Sequence, residues 1–242
     1  MKLQIIGSGA IITKNASAST LIDDKVLVDC GTGTFKQLLR LDCKVKEIDT
    51  ILITHLHSDH FMDVPFMMLA ASKNYDNEQK LTIFLPEGGI KATHEIAKYL
   101  WNPEDIAETW WPQNIELIEY QNGEVFAKDG VRVDPVKVAH GELKASGFII
   151  EKDGKRIGFS GDSTMCDGVK KIVEMADWAV LDASFPEAGN TVHMGLNDIY
   201  ELCSEYPNKK IVATHMYNDA RKTNRQDIPN LIIPDDGEIF EL

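Results

Sequence analysis

Three histidines and one aspartate fall within six positions of the stretch Thr54-His55-Leu56-His57-Ser58-Asp59-His60. All four side chains are ligands for divalent cations, and burying that many ionisable groups demands a partner of opposite character. In an extended chain His55 and His57 stand on one face, because side chains alternate with a period of two. Asp59 and His60 follow where the backbone has to turn. The stretch therefore predicts a metal centre, and a binuclear one.

Further donors lie at turns and strand ends along the chain. His140 follows the strand-like Val136-Lys137-Val138-Ala139, and Asp162 sits in the turn Phe159-Ser160-Gly161-Asp162-Ser163. His215 closes Ile211-Val212-Ala213-Thr214-His215, which echoes Ile51-Leu52-Ile53-Thr54-His55. Taken alone, Asp162 reads equally well as an ordinary turn or helix-capping residue. As a set, His55, His57, His60, His140 and His215 with Asp59 and Asp162 supply enough donors for two ions and leave His193 over. His94 stands in a helical pattern without a ligand-spaced neighbour and stays outside the set. Nitrogen and carboxylate donors without thiolate suit zinc, and also manganese or iron. A pair of such ions lowers the pKa of a bridging water and clamps attacked group and leaving oxygen, so the implied chemistry is hydrolytic.

The elements that must position these residues are short strands and amphipathic helices. Residues 2–6 and 18–29 read as strands with a hairpin turn at Asp23-Asp24, ending at Asp29, a carboxylate behind or beside the site. Gly31-Thr32-Gly33-Thr34 lacks the Gly spacing and the Lys of a phosphate-binding loop. Its small residues instead let backbone approach the site closely. A short helix follows with Phe35, Leu38, Leu39 and Leu41 on one face. Another begins at Pro65, carrying Phe66, Met67, Met68 and Leu69. A strand over Leu81–Leu85 leads through Pro86-Glu87-Gly88-Gly89 into a helix reaching about Trp101. The segment from Trp101 to Pro112, with Trp110 and Trp111, reads as a substrate wall, a dimer contact or a cap on the core edge. Strands at 114–119, 131–139, 146–151, 155–160, 178–182 and 210–214 follow, with a hairpin turn at Lys152-Asp153-Gly154-Lys155 and helices near 167–176 and 195–205. Each half delivers a His from a strand end. That predicts an α/β domain over residues 1–242, with two sheets packed centrally and helices outside.

Composition limits the remaining possibilities. The chain has 242 residues, 43% of them hydrophobic, enough for a sizeable core. No apolar run approaches the roughly 18 residues that span a bilayer, and Met1-Lys2-Leu3-Gln4-Ile5-Ile6 reads as a strand rather than a signal peptide. Cys30, Cys43, Cys166 and Cys203 form no Cys-x-x-Cys pair, which favours free thiols and a cytoplasmic setting. A net charge of −13 opposes a broad nucleic-acid surface. A small phosphate-bearing substrate remains open, because two divalent cations would add about four positive charges at the site.

His-x-His-x-Asp-His, a later His, a Gly-Asp-Ser turn and a strand-Thr-His in that order resemble the metallo-β-lactamase superfamily over nearly the whole chain. The resemblance implies a four-layer αββα sandwich of two mixed sheets with outer helices and the site at one edge. It implies that His55, His57 and His140 hold one metal, that Asp59, His60 and His215 hold the other, and that Asp162 bridges them. β-Lactamases of this fold place a Cys where this chain has Asp162, which turns the expectation away from antibiotics. Val28-Asp29-Cys30-Gly31, and His193 lying 22 residues before His215, resemble the ribonuclease Z and phosphodiesterase group. That likeness implies a phosphodiesterase in which His193, aided by a carboxylate such as Asp29, assists the leaving oxygen, Asp59 serves catalysis, and the chain dimerises. Ribonuclease Z carries a long basic tRNA-gripping arm between the positions matching His140 and Asp162. Here 21 residues intervene. Asp63-Val64-Pro65 and His193-Met194-Gly195 also depart from that group's usual motifs. The expected substrate is thus a small, cyclic or short phosphodiester rather than a whole tRNA. Thioester hydrolysis of the glyoxalase-II type and a catalytically weak metabolite-binding role are the alternatives.

Overall fold

Leu52 faces one way along its strand while Ile51 and Ile53 face the other, and all three are fully buried. Strands that are apolar on both faces belong to sheets covered on both sides, and the computed structural model has that layering. It describes residues 1–74, 80–100, 114–189, 191–223 and 227–242. Trp101, Trp110, Trp111 and the rest of that aromatic segment lie outside the described residues.

The first sheet takes β1 (Lys2–Gly7), β2 (Ser19–Ile22), β3 (Val26–Val28), β4 (Thr50–Leu52), β5 (Leu81–Leu85) and β6 (Ile115–Glu119). The second takes β7 (Phe126–Lys128), β8 (Val131–Lys137), β9 (Ser146–Lys152), β10 (Lys155–Phe159), β11 (Trp178–Asp182), β12 (Lys210–Thr214) and β13 (Leu231–Ile232). The final strand, β14 (Ile239–Glu241), returns to pair with β1, giving seven strands in each sheet. Strands β1 to β3 are antiparallel and β3 to β6 parallel, whereas β7 to β10 are antiparallel and β10 to β13 parallel. Both sheets are therefore mixed.

Three apolar layers separate the structural ones. Leu3, Ile5, Leu52, Phe84, Phe148, Ile150, Val180 and Val212 fill the space between the sheets. The outer face of the first sheet is covered by α1 (Thr34–Arg40), α3 (Val64–Asn74) and α4 (Gly89–Leu100), through Leu38, Met67, Met68 and Ala71 among others. Helix α2 (Ser58–Phe61) is a single turn within the histidine stretch. On the second sheet, α5 (Asp167–Met175) and α6 (Leu196–Glu205) bury Val169, Ile172, Val173, Ile199 and Leu202, with α7 (Asn218–Lys222) closing that side. The result is the αββα sandwich expected from the sequence. No helix among the described residues is long and apolar enough to cross a membrane.

The turns follow their chemistry. Asp23 and Asp24 both adopt positive φ, as do Asp153 and Gly154, the backbone that tight hairpins between twisted strands require. The strand expected over 131–139 stops at Lys137, because Val138 and Ala139 leave the sheet to carry His140. The helix expected from Pro86 starts at Gly89, after a turn whose Gly88 and Ile90 amides donate to Glu119 Oε1. Strands β7, β13 and β14, of two or three residues each, are too short for periodicity to reveal.

Gly31 fulfils its expected role. Its backbone is joined to the histidine stretch by flanking hydrogen bonds from Cys30 N to His60 O (2.8 Å) and from Thr32 N to Ser58 O (3.1 Å). A Cβ on Gly31 would lie 1.7 Å from Asp59 O and 2.0 Å from Asp59 C. Backbone cannot yield as a side-chain tip can, so Gly31→Ala is expected to cost about 3 kcal/mol. The melting temperature should fall by roughly 6–12 °C, with metal content falling alongside it. A thermal unfolding scan paired with metal analysis checks both.

Candidate metal centre

The C-terminal ends of β3, β4, β10, β11 and β12 meet at one edge of the sandwich, and each hands over a polar residue: Asp29, His55, Asp162, Asp182 and His215. His140 joins them from the connection after β8, while Asp59 and His60 come from α2. Asp162 is at the centre, 2% exposed. Its Oδ2 lies 3.7 Å from His55 Nε2, 3.8 Å from His140 Nε2 and 3.5 Å from His215 Nε2, and its Oδ1 lies 3.2 Å from His60 Nε2. On one side of it His57 Nδ1 approaches His140 Nε2 at 3.2 Å. On the other, His215 Nε2 and His60 Nε2 lie 3.2 and 3.8 Å from Asp59 Oδ2.

Donor atoms of His55, His57, His140 and Asp162 converge within 4.8 Å of one another, as do those of Asp59, His60 and His215. All seven residues expected as ligands are thus brought together, in the two groups expected. The arrangement can hold metal. His55 Nε2, His60 Nε2 and Asp162 Oδ1 are buried without a hydrogen-bond partner, although His60 and Asp162 approach closely. Buried polar atoms rarely stay unpaired, and lone pairs aimed at a common space are what a cation would satisfy.

Behind the centre, each inward Nε2 has its ring's Nδ1 held from the opposite side. His60 Nδ1 donates to Asp29 Oδ2 at 2.8 Å and His140 Nδ1 to the Val192 carbonyl at 2.9 Å. His55 Nδ1 lies 3.0 Å from Thr54 Oγ1, itself a donor to Asp29 Oδ2, and His215 Nδ1 lies 2.9 Å from Ser184 Oγ, itself a donor to Asp182 Oδ1. This pattern places the Nδ1 protons outward and leaves Nε2 lone pairs facing in, the tautomer a metal ligand needs. Asp29 and His215 hold left-handed backbone at φ 61° and 56°, strain that side chains other than glycine accept where a site demands it.

The ionisable groups of the pocket shift one another's equilibria strongly. Burial opposes a charged His60, yet Asp162 and Asp29 hold its pKa well above the usual histidine value. His215 is likewise raised against its burial, by Asp162 and Asp59. His55 is driven well below by burial and then by His60, which together outweigh the favourable field of Asp162. Asp162 is held well below the usual carboxylate range despite its burial, by His215 and His60.

His193 lies against the two ligand groups, its ring stacked on that of His215 with centroids 5.3 Å apart, and its donor atom converges with those of Asp162, Asp182 and His215 within 4.8 Å. Its Nδ1 donates to Asp182 Oδ2 at 2.8 Å and lies 3.7 Å from Asp162 Oδ2. The carboxylate beside His193 is therefore Asp182, where the sequence had suggested Asp29. Asp29 is already committed, accepting from Thr54 N (2.8 Å), Thr54 Oγ1 (3.0 Å) and His60 Nδ1 (2.8 Å). Asp182 and Ser184 escaped the sequence reading. The signal for Asp182 was present, since Val180-Leu181-Asp182 repeats the apolar-strand-then-Asp pattern of Leu27-Val28-Asp29. Asn tolerates the left-handed backbone of Asp29, so Asp29→Asn tests its chemistry alone. It is expected to lower metal affinity about 10–100-fold, measured by titration against a competing chelator.

Comparison with known proteins places the fold. Ribonuclease Z of Bacillus licheniformis is 26% identical, over 100% of this chain and 97% of its own. The metallo-β-lactamase fold protein YhfI of Bacillus subtilis superposes with a TM-score of 0.78 at 17% identity, covering 99% of each chain. A diphosphatase of the PhnP family does so with a TM-score of 0.80 at 20% identity, covering 100% of this chain and 97% of its own. The sequence profile described as Anti-Pycsar protein Apyc1 matches residues 1–236. A metallo-β-lactamase fold of the ribonuclease Z-like group of metal-dependent hydrolases, with that profile running through it almost from end to end, means that the chain belongs to the Anti-Pycsar protein Apyc1 family.

Proposed function

We propose that this chain is a binuclear metal-dependent phosphodiesterase acting on a small or cyclic phosphodiester, its residues 1–242 working as one domain. The observation that carries the proposal is Asp162, set between two clusters of imidazoles and within 3.7 Å of the His193 ring. His55, His57 and His140 would hold one ion, Asp59, His60 and His215 the second, and Asp162 would serve both. Zinc suits this donor set, with manganese or iron as substitutes. Two such ions, when bound, act as Lewis acids that lower the pKa of water and neutralise charge on the attacked ester.

The chain's own groups supply the proton chemistry. His193 donates from Nε2 to the departing oxygen while Asp182 holds Nδ1–H and stabilises the imidazolium. Burial opposes that charge, but Asp182, through hydrogen bond and field, raises the His193 pKa. The acid form therefore persists toward neutral pH, where a general acid is most useful. Asp59 stays ionised despite burial, because His215 and His60 lower its pKa, which suits it to catalysis as a charged ligand that orients the attacking water. Asp29 acts through His60 by orienting it.

Substrate size follows from what surrounds the edge. The 21 residues between His140 and Asp162 are taken up by a turn and the β9–β10 hairpin. The matched ribonuclease Z aligns over 308 residues against the 242 of this chain, so it carries segments absent here. With a net charge of −13, a small substrate fits better than a folded RNA. The four cysteines are free, which supports placing the enzyme in the cytoplasm. Hydrolysis of bis(p-nitrophenyl) phosphate beside a thioester, with metal content measured on the same sample, tests the reading. Turnover of the phosphodiester with two ions per chain is expected, and preference for the thioester would overturn it. A screen over cyclic nucleotides, short RNAs and precursor tRNA then fixes substrate size.

A further inference from the structure

Four donors at the rim of the metal centre form a group of their own. Asp162, Asp182, His193 and His215 each bring one donor atom within 4.8 Å of the other three. His193 Nδ1 lies 2.8 Å from Asp182 Oδ2 and 3.7 Å from Asp162 Oδ2, and His215 Nε2 lies 3.5 Å from Asp162 Oδ2. Two metal–ligand bonds of roughly 2.0–2.2 Å each span such spacings. Two imidazoles and two carboxylates are also a donor set that zinc or manganese accepts. His215 belongs as well to the group it forms with Asp59 and His60, its Nε2 lying 3.2 Å from Asp59 Oδ2. Asp59 and His60 are therefore particular to one seat, and Asp182 and His193 to the other.

The second seat is rigidly built. Asp182 is buried, with Oδ1 accepting from Ser184 N (3.0 Å) and Ser184 Oγ (2.7 Å) and Oδ2 from Ser163 N (3.1 Å). The His193 ring is fixed among those of His140, His215 and Phe185, with centroids 4.9, 5.3 and 6.0 Å away. Its side chain keeps 15% exposure, so an ion can reach it from solvent. His215 offers one inward lone pair, because Ser184 Oγ holds its Nδ1 at 2.9 Å. It therefore serves one ion at a time, and the two seats exclude each other. In the alternative seat the ion takes the place of the His193 Nδ1 proton, which passes to solvent, and the hydrogen bond to Asp182 gives way to two bonds to metal. Giving up that hydrogen bond leaves the Asp59 seat preferred in the intact protein.

We infer that Asp162, Asp182, His193 and His215 form an alternative seat for the second ion, in which His193 is a metal ligand instead of a proton donor. The assignment rests on the binuclear reading and adds to it an inactive arrangement that still carries two ions. Zinc affinity for the second ion, titrated against a competing chelator, tests it in a double-variant cycle. His193→Ala alone should change that affinity by less than about twofold, because the Asp59 seat is in use. Asp59→Asn alone should lose no more than about tenfold, because the alternative seat takes the ion. Asp59→Asn/His193→Ala should lose about a further 100-fold, leaving one ion per chain. His193→Ala added to His57→Ala, which leaves the Asp59 seat whole, should again stay within about twofold. A double variant that binds as tightly as Asp59→Asn alone, or an equal loss in the His57→Ala background, would overturn the seat. Should Asp59→Asn not fold, His60→Gln disables the same seat in its place. Wild-type protein that holds two ions but hydrolyses no phosphodiester would instead overturn the proposed function and leave the seat standing.

Discussion

Asp162→Ala is expected to lose bound metal and turnover together. Removing a group that merely orients a metal ligand costs about 10–100-fold in affinity. Asp162 itself contacts the inward nitrogens of His55, His60, His140 and His215, all within 3.2–3.8 Å. Its loss should therefore exceed about 100-fold in metal affinity and about a thousandfold in phosphodiester turnover. The effect reaches both clusters, because the same carboxylate touches imidazoles on each side. Asp162→Asn keeps the shape and removes the charge, which separates charge from packing. Metal analysis by mass spectrometry and bis(p-nitrophenyl) phosphate kinetics on the same preparation provide the check. A variant that retained two ions and full turnover would remove Asp162 from the site and with it the binuclear reading.

Much of this centre was legible because its chemistry is local. His55, His57, Asp59 and His60 sit within one turn-length of chain, so their types and spacing alone imply a metal. His215 was legible through an echo: strand, Thr, His recurs because both sheets use a parallel strand end to deliver a ligand. The supporting groups were harder to see. Val192 contributes a backbone carbonyl to His140, and any residue offers a carbonyl. Ser184 is one serine among many until the fold brings it 2.9 Å from His215 Nδ1. Asp182 pairs with a His 11 positions away across a loop, where neither helical nor strand periodicity applies. The sandwich itself was readable from alternating apolar faces in strands such as β4 and β12. Its edge strands β13 and β14 were not, since two or three residues carry no period.

His193→Ala is expected to keep both ions and lose the proton donor. His193 stands outside the two ligand groups, its Nδ1 held by Asp182, so metal content should stay at the wild-type level. General acid catalysis contributes about 10²–10⁴-fold, and phosphodiester turnover should fall by that amount when the leaving oxygen is a poor one such as an alkoxide. With p-nitrophenolate, which departs without a proton, the loss should shrink to about tenfold or less. The pH profile carries the sign. The acid form is required, so wild-type rate falls as pH rises through the His193 pKa, which Asp182 holds above the usual histidine value against the effect of burial. That descending limb should vanish in His193→Ala. In Asp182→Asn it should move to lower pH, because the neutral amide no longer favours the imidazolium. A merely structural His193 would instead lose metal, leave the limb where it is, and slow good and poor leaving groups alike.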